Sequence, residues 1–370
     1  MVRPGIHLAE SDAEKEAVYR LRYDIYVEEM GRFRSLADHA GRRLVEPEDA
    51  TARIFYGAEE DGTVVATLRL SWGGDAPFSE RLIEQYQLAP FLAEMGPERI
   101  AIGERGMVTP RLRGSPIYRE LGLFSRRFVS EKRIELIFGA CEPHLLTLYV
   151  GQGARTFSKQ NINSPEVGFV IPIVTVVEDV AYLRRIGSPS AATTKDWGDQ
   201  ARIPGCVDRL ITNGGNVISQ RLTASGAYWG EIHGALEQLG DSRAAAFDDL
   251  SEEQVQRCLG KSNIIDCAAG DRVLKKGNVA RNMFVVLDGT LEVRDGDTLL
   301  RVLSPGDVLG EIAFLLEQPR SADVFAATDA RVLSLSEGTV RKLIESDPDV
   351  AAHLLLNVSK MLCRRILESG

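Results

Sequence analysis

The stretch that most constrains this chain runs from Leu303 to Val324, through Ser304-Pro305-Gly306-Asp307, Gly310-Glu311-Ile312-Ala313 and Pro319-Arg320-Ser321-Ala322. Ser304 to Asp307 is a turn former, because proline presets the backbone and glycine reverses it. Gly310 lets the main chain approach a ligand, and Glu311 to Leu316 is long enough for one short helix. The start of a helix presents unpaired N–H groups and the positive end of its dipole, which suits an anion. Arg320 adds a fork of donors that matches phosphate oxygens. Glu311 faces the same concavity. An acid beside an anion site is costly unless the ligand brings donors of its own, as a sugar phosphate does.

This run resembles the phosphate-binding cassette of cyclic nucleotide-binding domains, the family of the cAMP receptor protein and the regulatory subunits of cAMP-dependent kinase. The resemblance implies an effector, cAMP or cGMP. It gives Glu311 the ribose 2′-hydroxyl and Arg320 the cyclic phosphate. The amides near Gly310, Ile312 and Ala313, with the Ser321 hydroxyl, would complete the cradle. Asp323 departs from the kinase-type pattern, which has an uncharged residue there. Short strands at Val273–Lys275, Met283–Leu287, Thr290–Arg294, Leu299–Leu303, Val324–Ala327 and Arg331–Ser334 predict a small β-roll around the cassette. Asp288-Gly289 and Asp295-Gly296 supply hairpin turns. A last helix opens at Asp347-Pro348, with Leu354, Val358, Met361 or Leu362, and Ile366 as its apolar stripe. By resemblance it would cap the nucleotide; packing on the roll or a homodimer contact are the other roles open to it.

Ser11-Asp12-Ala13-Glu14 is a capping box, and Val18, Leu21 and Ile25 recur at helical spacing through about Glu29. Arg22 and Tyr26, four apart, share one face of that helix. Residues 31–49 are polar and read as a mobile loop. Arg53–Tyr56 and Thr63–Leu70 are strands joined by Asp61-Gly62. Ile100–Val108 is a further strand, and the basic loop Arg111 to Pro116 leads into a helix, Ile117–Ser130. Strand, glycine-containing loop and helix start again make a phosphate cradle. Strands Ile134–Ala140 and Val167–Val177 and helices from Pro143 and Glu178 complete an α/β layer.

This order resembles the GNAT superfamily of acyltransferases, in particular the acyl-homoserine-lactone synthases and long-chain N-acyl amino acid synthases. The likeness rests on Arg20 to Met30, Leu68-Arg69, Gly103 to Val108, and Arg111-x-x-Gly114-x-Pro116. It implies a GNAT-like mixed sheet over 1–190, a donor that is acyl-CoA or an acyl carrier protein thioester, and a small-molecule amine acceptor. In that reading Arg111, Arg113, Gly114 and Ser115 meet the donor's phosphate. The backbone near Met107 and Val108 polarises the thioester. Glu104 is the candidate base, because free α-amines are mostly protonated at neutral pH. Arg69 and Arg105 suit an acceptor carboxylate, Arg22 the same group or the carrier phosphate, and Asp49 is a further candidate.

Two domains fit in 370 residues, with 191–245 as a partly helical connector and 246–370 as the nucleotide domain. Their net charge of −9 has no basic half, and about two helices follow the cassette, so no nucleic-acid partner is expected. Five scattered cysteines without a Cys-x-x-Cys pair suit a reducing compartment. No apolar signal core opens the chain, and Val167–Val177 is too short to span a bilayer, so a cytoplasmic protein without a transmembrane segment is expected. The five histidines have no ligand spacing, so no metal is expected. Gly151-Gln152-Gly153 lacks the third glycine of a dinucleotide loop. A cyclic-nucleotide-regulated N-acyltransferase is the leading expectation. A protein lysine acetyltransferase using acetyl-CoA and a non-catalytic sensor are the alternatives.

Overall fold

The structure, a computed structural model, describes residues 1–192, 203–211, 215–223, 226–238, 245–260, 262–316 and 318–368. It divides into two compact units. Met1–Ala140, Gly151–Phe157 and Pro172–Gly214 form the first; Cys141–Val150, Ser158–Ile171 and Gly215–Gly370 form the second.

The first unit opens with β1 (Gly5–Leu8) and α1 (Asp12–Arg22). The capping box at Ser11 is present: Ser11 Oγ accepts from the Glu14 amide and Glu14 accepts from the Ser11 amide. Beyond Arg22 the turns widen into a π-helix over Tyr23–Glu29. Val18, Leu21 and Ile25 are buried as the periodicity predicts, but the wider turn shifts the spacing between Arg22 and Tyr26 away from a simple shared face. The segment predicted as a mobile loop is instead anchored. Leu44 is fully buried, Asp38 pairs with Arg43, and Pro47–Ala50 is a 3-10 turn that buries Asp49.

β2 (Arg53–Ala58) and β3 (Val64–Trp72) form the predicted hairpin, followed by α2 (Glu80–Gln85), α3 (Ala89–Leu92) and β4 (Ile100–Val108). α4 (Ile117–Glu131) returns the chain to β5 (Leu136–Cys141), then come α5 (Leu146–Gln152), β6 (Ala154–Thr156), β7 (Ile162–Ser164), β8 (Gly168–Val176), α6 (Val180–Arg185) and α7 (Val207–Leu210). The sheet order is β1-β2-β3-β4-β5-β8-β6, with β7 on β8. β4 and β5 run parallel, and their ladder joins Ile100–Ile102 to Leu136–Phe138 and then stops. Ile100, Ile102, Leu136 and Leu121 of α4 are all fully buried. They fix the strand that carries the site.

The second unit adds β9 (Val217–Ser219), α8 (Ala227–Gln238), α9 (Glu252–Leu259), β10 (Asn263–Cys267), β11 (Arg272–Leu274), β12 (Asn282–Asp288), β13 (Leu291–Asp295), β14 (Thr298–Leu303), β15 (Val308–Leu309), α10 (Glu311–Leu316), β16 (Asp323–Ala326), β17 (Ala330–Ser336), α11 (Glu337–Ser346) and α12 (Pro348–Glu368). Two antiparallel sheets, β15-β12-β17-β10-β9 and β11-β16-β13-β14, make the β-roll. Its core holds Ile264, Met283, Val285, Leu333 and Leu335, and α8, α9, α11 and α12 pack on it. Residues 217–219 and 227–238, read from sequence as connector, thus supply a strand and a packed helix. The linker expected at Ala191–Thr194 lies partly outside the described residues.

α12 departs from its predicted stripe. Leu354 and Val358 are buried, whereas Ile366 is 72% exposed. At 1.5 Å per residue the helix is about 31 Å long and outruns the roll beneath it.

Candidate functional site

In the second unit the cassette assembles as its residue types require. Gly310 sits at φ +79°, where a side chain is strained, and an added Cβ would lie 2.4 Å from Arg320 Nη1. Arg320 is 3% exposed. Its Nη1 donates to the Gly310 carbonyl at 2.5 Å, and Nη2 donates to the Asn282 carbonyl and to Asn282 Oδ1. Nε has no partner. Burial pulls the guanidinium down to about 10, with Glu311 and Glu142 opposing the shift. The nearest acceptors are therefore neutral, and a buried cation with a spare donor suits an anionic phosphate.

Glu311 begins α10 and is buried. Its carboxylate accepts from Arg365 of α12, which also donates to the Val308 carbonyl. The sequence reading missed Arg365, although a basic residue near the end of the final helix was visible. Ala313 is buried, while Ile312 and Ser321 are exposed. Asp323 turns toward the β11 loop, where it accepts from the Lys276 amide at 3.1 Å and lies 4.0 Å from Arg272.

In the first unit a second arginine cluster is buried. Arg22 Nη1 donates to both oxygens of Asp49 at 2.8 Å, while Arg22 Nε and Nη2 have no partner. Arg69 Nη1 reaches Glu46 at 3.1 Å and Asp49 at 3.2 Å, and Nη2 reaches Glu104 at 2.8 Å. Glu104 also accepts from Tyr86 Oη at 2.9 Å. Arg105 pairs with Glu46 and lies over the rings of Phe33 and Tyr26, 4.7 and 5.6 Å from their centroids.

A bulge makes this convergence possible. Arg69 registers with Glu104 and Thr67 with Met107, so β4 fits three steps against two of β3. Arg105 takes φ +55° there, and the extra residue re-aims the side chain. An added Cβ on Gly106 would meet Tyr118 Oη at 2.5 Å.

Three guanidiniums face three carboxylates: Arg22, Arg69 and Arg105 with Glu46, Asp49 and Glu104. Burial by itself would raise Glu46, but Arg105, Arg69 and Arg22 outweigh it and hold the carboxyl near about 2. Burial would likewise lower Arg69, and Glu104, Glu46 and Asp49 hold it above its ordinary value instead. Burial and then Glu104 push the Tyr86 phenol well up. Glu46 and Tyr86 were absent from the sequence reading. The acid-rich run Glu46-Pro47-Glu48-Asp49 was a usable signal for the first; nothing local marked the second.

Other expected site residues are placed elsewhere. Arg111 pairs with Glu59, and Arg113 pairs with Glu29 at 2.6 and 2.7 Å, all on the surface. Gly114 has φ +84°, and the Ser115 hydroxyl is buried without a partner. α4 begins without a side-chain cap. Met107 is buried in a core cluster and Val108 pairs with Ala66. Among the described residues no group of histidine, cysteine or acids could hold a metal, and no helix is long and apolar enough to cross a membrane.

The cyclic nucleotide-binding domain family matches residues 264–347. A cyclic nucleotide-gated potassium channel of Rhizobium etli is 36% identical over 83 residues, 22% of this chain and 23% of the channel. Glutaminase 2 of Bradyrhizobium diazoefficiens is 30% identical over 127 residues, 34% of this chain and 20% of that protein. The Pycsar effector protein XpPycTIR of Xanthomonas perforans is 26% identical over 115 residues, 31% of this chain and 38% of the effector. The chain thus spans well under half the length of each of these three curated relatives. Among solved structures, the catabolite activator protein of Thermus thermophilus aligns with 27% identity and a TM-score of 0.31, covering 34% of this chain and 59% of that one. With the cassette, the β-roll and the family match in register on the same residues, the C-terminal part of this chain is a cyclic nucleotide-binding domain.

Proposed function

We propose that the chain is an N-acyltransferase governed by a cyclic nucleotide. An acyl group would pass from an acyl carrier protein or coenzyme A thioester to the amine of an amino acid or similar small molecule. The observation that carries this reading is Arg22, 0% exposed, with Nε and Nη2 lacking any partner inside a cluster that is otherwise paired. A buried donor left unpaired costs roughly 1–3 kcal/mol, and the free edge of a guanidinium fits a carboxylate. Relatives named for cyclic nucleotide gating or cAMP activation support the nucleotide as effector.

In the reaction the acceptor nitrogen attacks the thioester carbonyl, a C–N bond forms, the C–S bond breaks, and the sulfur leaves as thiol. Arg22 holds the acceptor's carboxylate. Glu104, whose oxygens each keep a lone pair beyond Arg69 and Tyr86, takes the ammonium proton directly or through one water. The uncapped start of α4 beside Gly114 and Ser115 receives the donor's phosphate. Arg111 and Arg113 must leave Glu59 and Glu29 to assist; such exposed pairs are worth only about 0–1 kcal/mol. The test is to incubate the protein with acyl carrier and coenzyme A thioesters plus amino acids, and to follow products by mass spectrometry. Wild type should form N-acyl products and Glu104→Gln should not. Product formed only on protein lysines would favour the lysine acetyltransferase, and bound acyl species without turnover would favour the sensor.

A further inference from the structure

The segment Ser158–Ile171 clusters with the nucleotide-binding unit, although β8, which starts within it, continues as a strand of the other unit's sheet. The segment is held on the β-roll by side chains more than a hundred residues away in sequence. Asn161 Nδ2 donates to Asp271 Oδ2 at 2.9 Å and to the Asp266 carbonyl at 3.0 Å. Asn163 Nδ2 donates to Asp271 Oδ1 at 3.0 Å, and its own Oδ1 accepts from the Arg272 amide at 3.1 Å. Arg272 donates to the Ser164 carbonyl, Lys275 to that of Pro165, and Asn278 to that of Val167. Gly168 has φ +98°, and an added Cβ would lie 2.9 Å from the Arg272 carbonyl. Phe169 meets Phe284 of β12 with ring centroids 6.5 Å apart.

The last of these anchors is also a neighbour of the phosphate-binding arginine. The Arg320 amide donates to the Asn278 carbonyl at 2.9 Å, and the Gly277 amide donates to the Arg320 carbonyl at 2.8 Å. One residue, Asn278, therefore holds Arg320 through its main chain and Val167 through its side chain. Asn278 is itself 5% exposed. A peptide hydrogen-bonded on both sides of Arg320 cannot stay still if that guanidinium changes partners from the Gly310 and Asn282 carbonyls to a phosphate.

We infer that the hairpin Asn161–Val170 is the transmission element of this protein, carrying nucleotide occupancy from Arg320 through Asn278 to β8. The inference rests on the nucleotide reading of Arg320 and adds the route by which it regulates. Rigid elements linked by a buried hydrogen-bond network, with a shared residue between two sites, are the physical basis such coupling needs. β8 is covalently continuous with the sheet that carries Glu104 and Arg69, so the displacement needs no separate docking event.

The experiment is hydrogen–deuterium exchange of the full chain with and without cAMP and cGMP, with calorimetry on the same samples. For wild type, a binding heat and a change of about fivefold or more in amide exchange over residues 160–176 are expected, the size of a modest allosteric coupling. Asn278→Ala should retain the heat and lose the change at 160–176. Asn163→Ala, at an exposed position that should not endanger folding, should retain the heat and diminish the change. Binding heat without altered exchange at 160–176, or the same alteration in both variants, overturns the route while leaving the nucleotide site standing. Absence of heat with both nucleotides overturns the site and the route together.

Discussion

Arg69 in the first unit and Arg320 in the second are both buried, yet their surroundings are opposite. Arg69 is ringed by Glu46, Asp49 and Glu104 and is held above its ordinary value. Arg320 meets the carbonyls of Gly310 and Asn282, and burial lowers it to about 10. The contrast separates two kinds of anion recognition. A guanidinium surrounded by neutral acceptors offers its whole charge, so the cassette should select ligands by charge. A guanidinium already neutralised offers only spare N–H groups, so the first-unit cluster should select by shape, through the free edge of Arg22.

The largest effect should come from removing the centre of the neutralised cluster. Arg69→Met leaves three acids without a common partner, and breaking a buried pair typically costs about 3–5 kcal/mol. Denaturant melts of the full chain would show this as a lower midpoint for the first unit. A loss below about 1 kcal/mol would mean the acids are solvated and the contrast is false.

Acid should expose the same cluster. Glu46 sits near about 2 when folded against 4.5 unperturbed, a depressed value. Its stabilisation, on the order of 3 kcal/mol, is complete above pH 4.5 and disappears as pH falls through about 2. Stability curves against pH should steepen in that window for wild type and flatten there for Glu46→Gln.

For the charge-selective site, Arg320→Ala should weaken cAMP or cGMP binding by about 100-fold, within the 2–5 kcal/mol expected for truncating one member of a buried ionic contact. Calorimetry giving equal heats for both proteins would remove Arg320 from the site. Gly310→Ala should act more gently. The strained φ and the approach to Nη1 should cost about 1 kcal/mol and a matching few-fold loss of nucleotide affinity.

How much of each site could be read in advance follows from the same comparison. The cassette was legible because its turn, glycine, acid and arginine fall within 22 consecutive residues of one strand–helix–strand unit, Leu303–Val324. Arg365 escaped notice because it returns from α12. In the first unit Arg22, Arg69, Glu104 and Arg105 were singled out one at a time, and Asp49 was a weak candidate. Their union was not visible, since it depends on the bulge at Arg105 and on a loop that the polar composition of residues 31–49 made look free. Glu46 and Tyr86 were missed for the same reason. Arg111 and Arg113 show the reverse: a basic loop before a helix was correctly found, but its charges turn to Glu59 and Glu29.

By itself, then, the sequence determined the local pieces: helix caps at Ser11 and Ser251, hairpin turns at Gly62, Gly289 and Gly296, and the cassette, because each is governed by neighbours a few residues apart. Only the tertiary structure decided which charges meet. Burying an arginine is tolerable only beside acceptors, and whether those are three acids or two carbonyls is set by how strands far apart in the chain register.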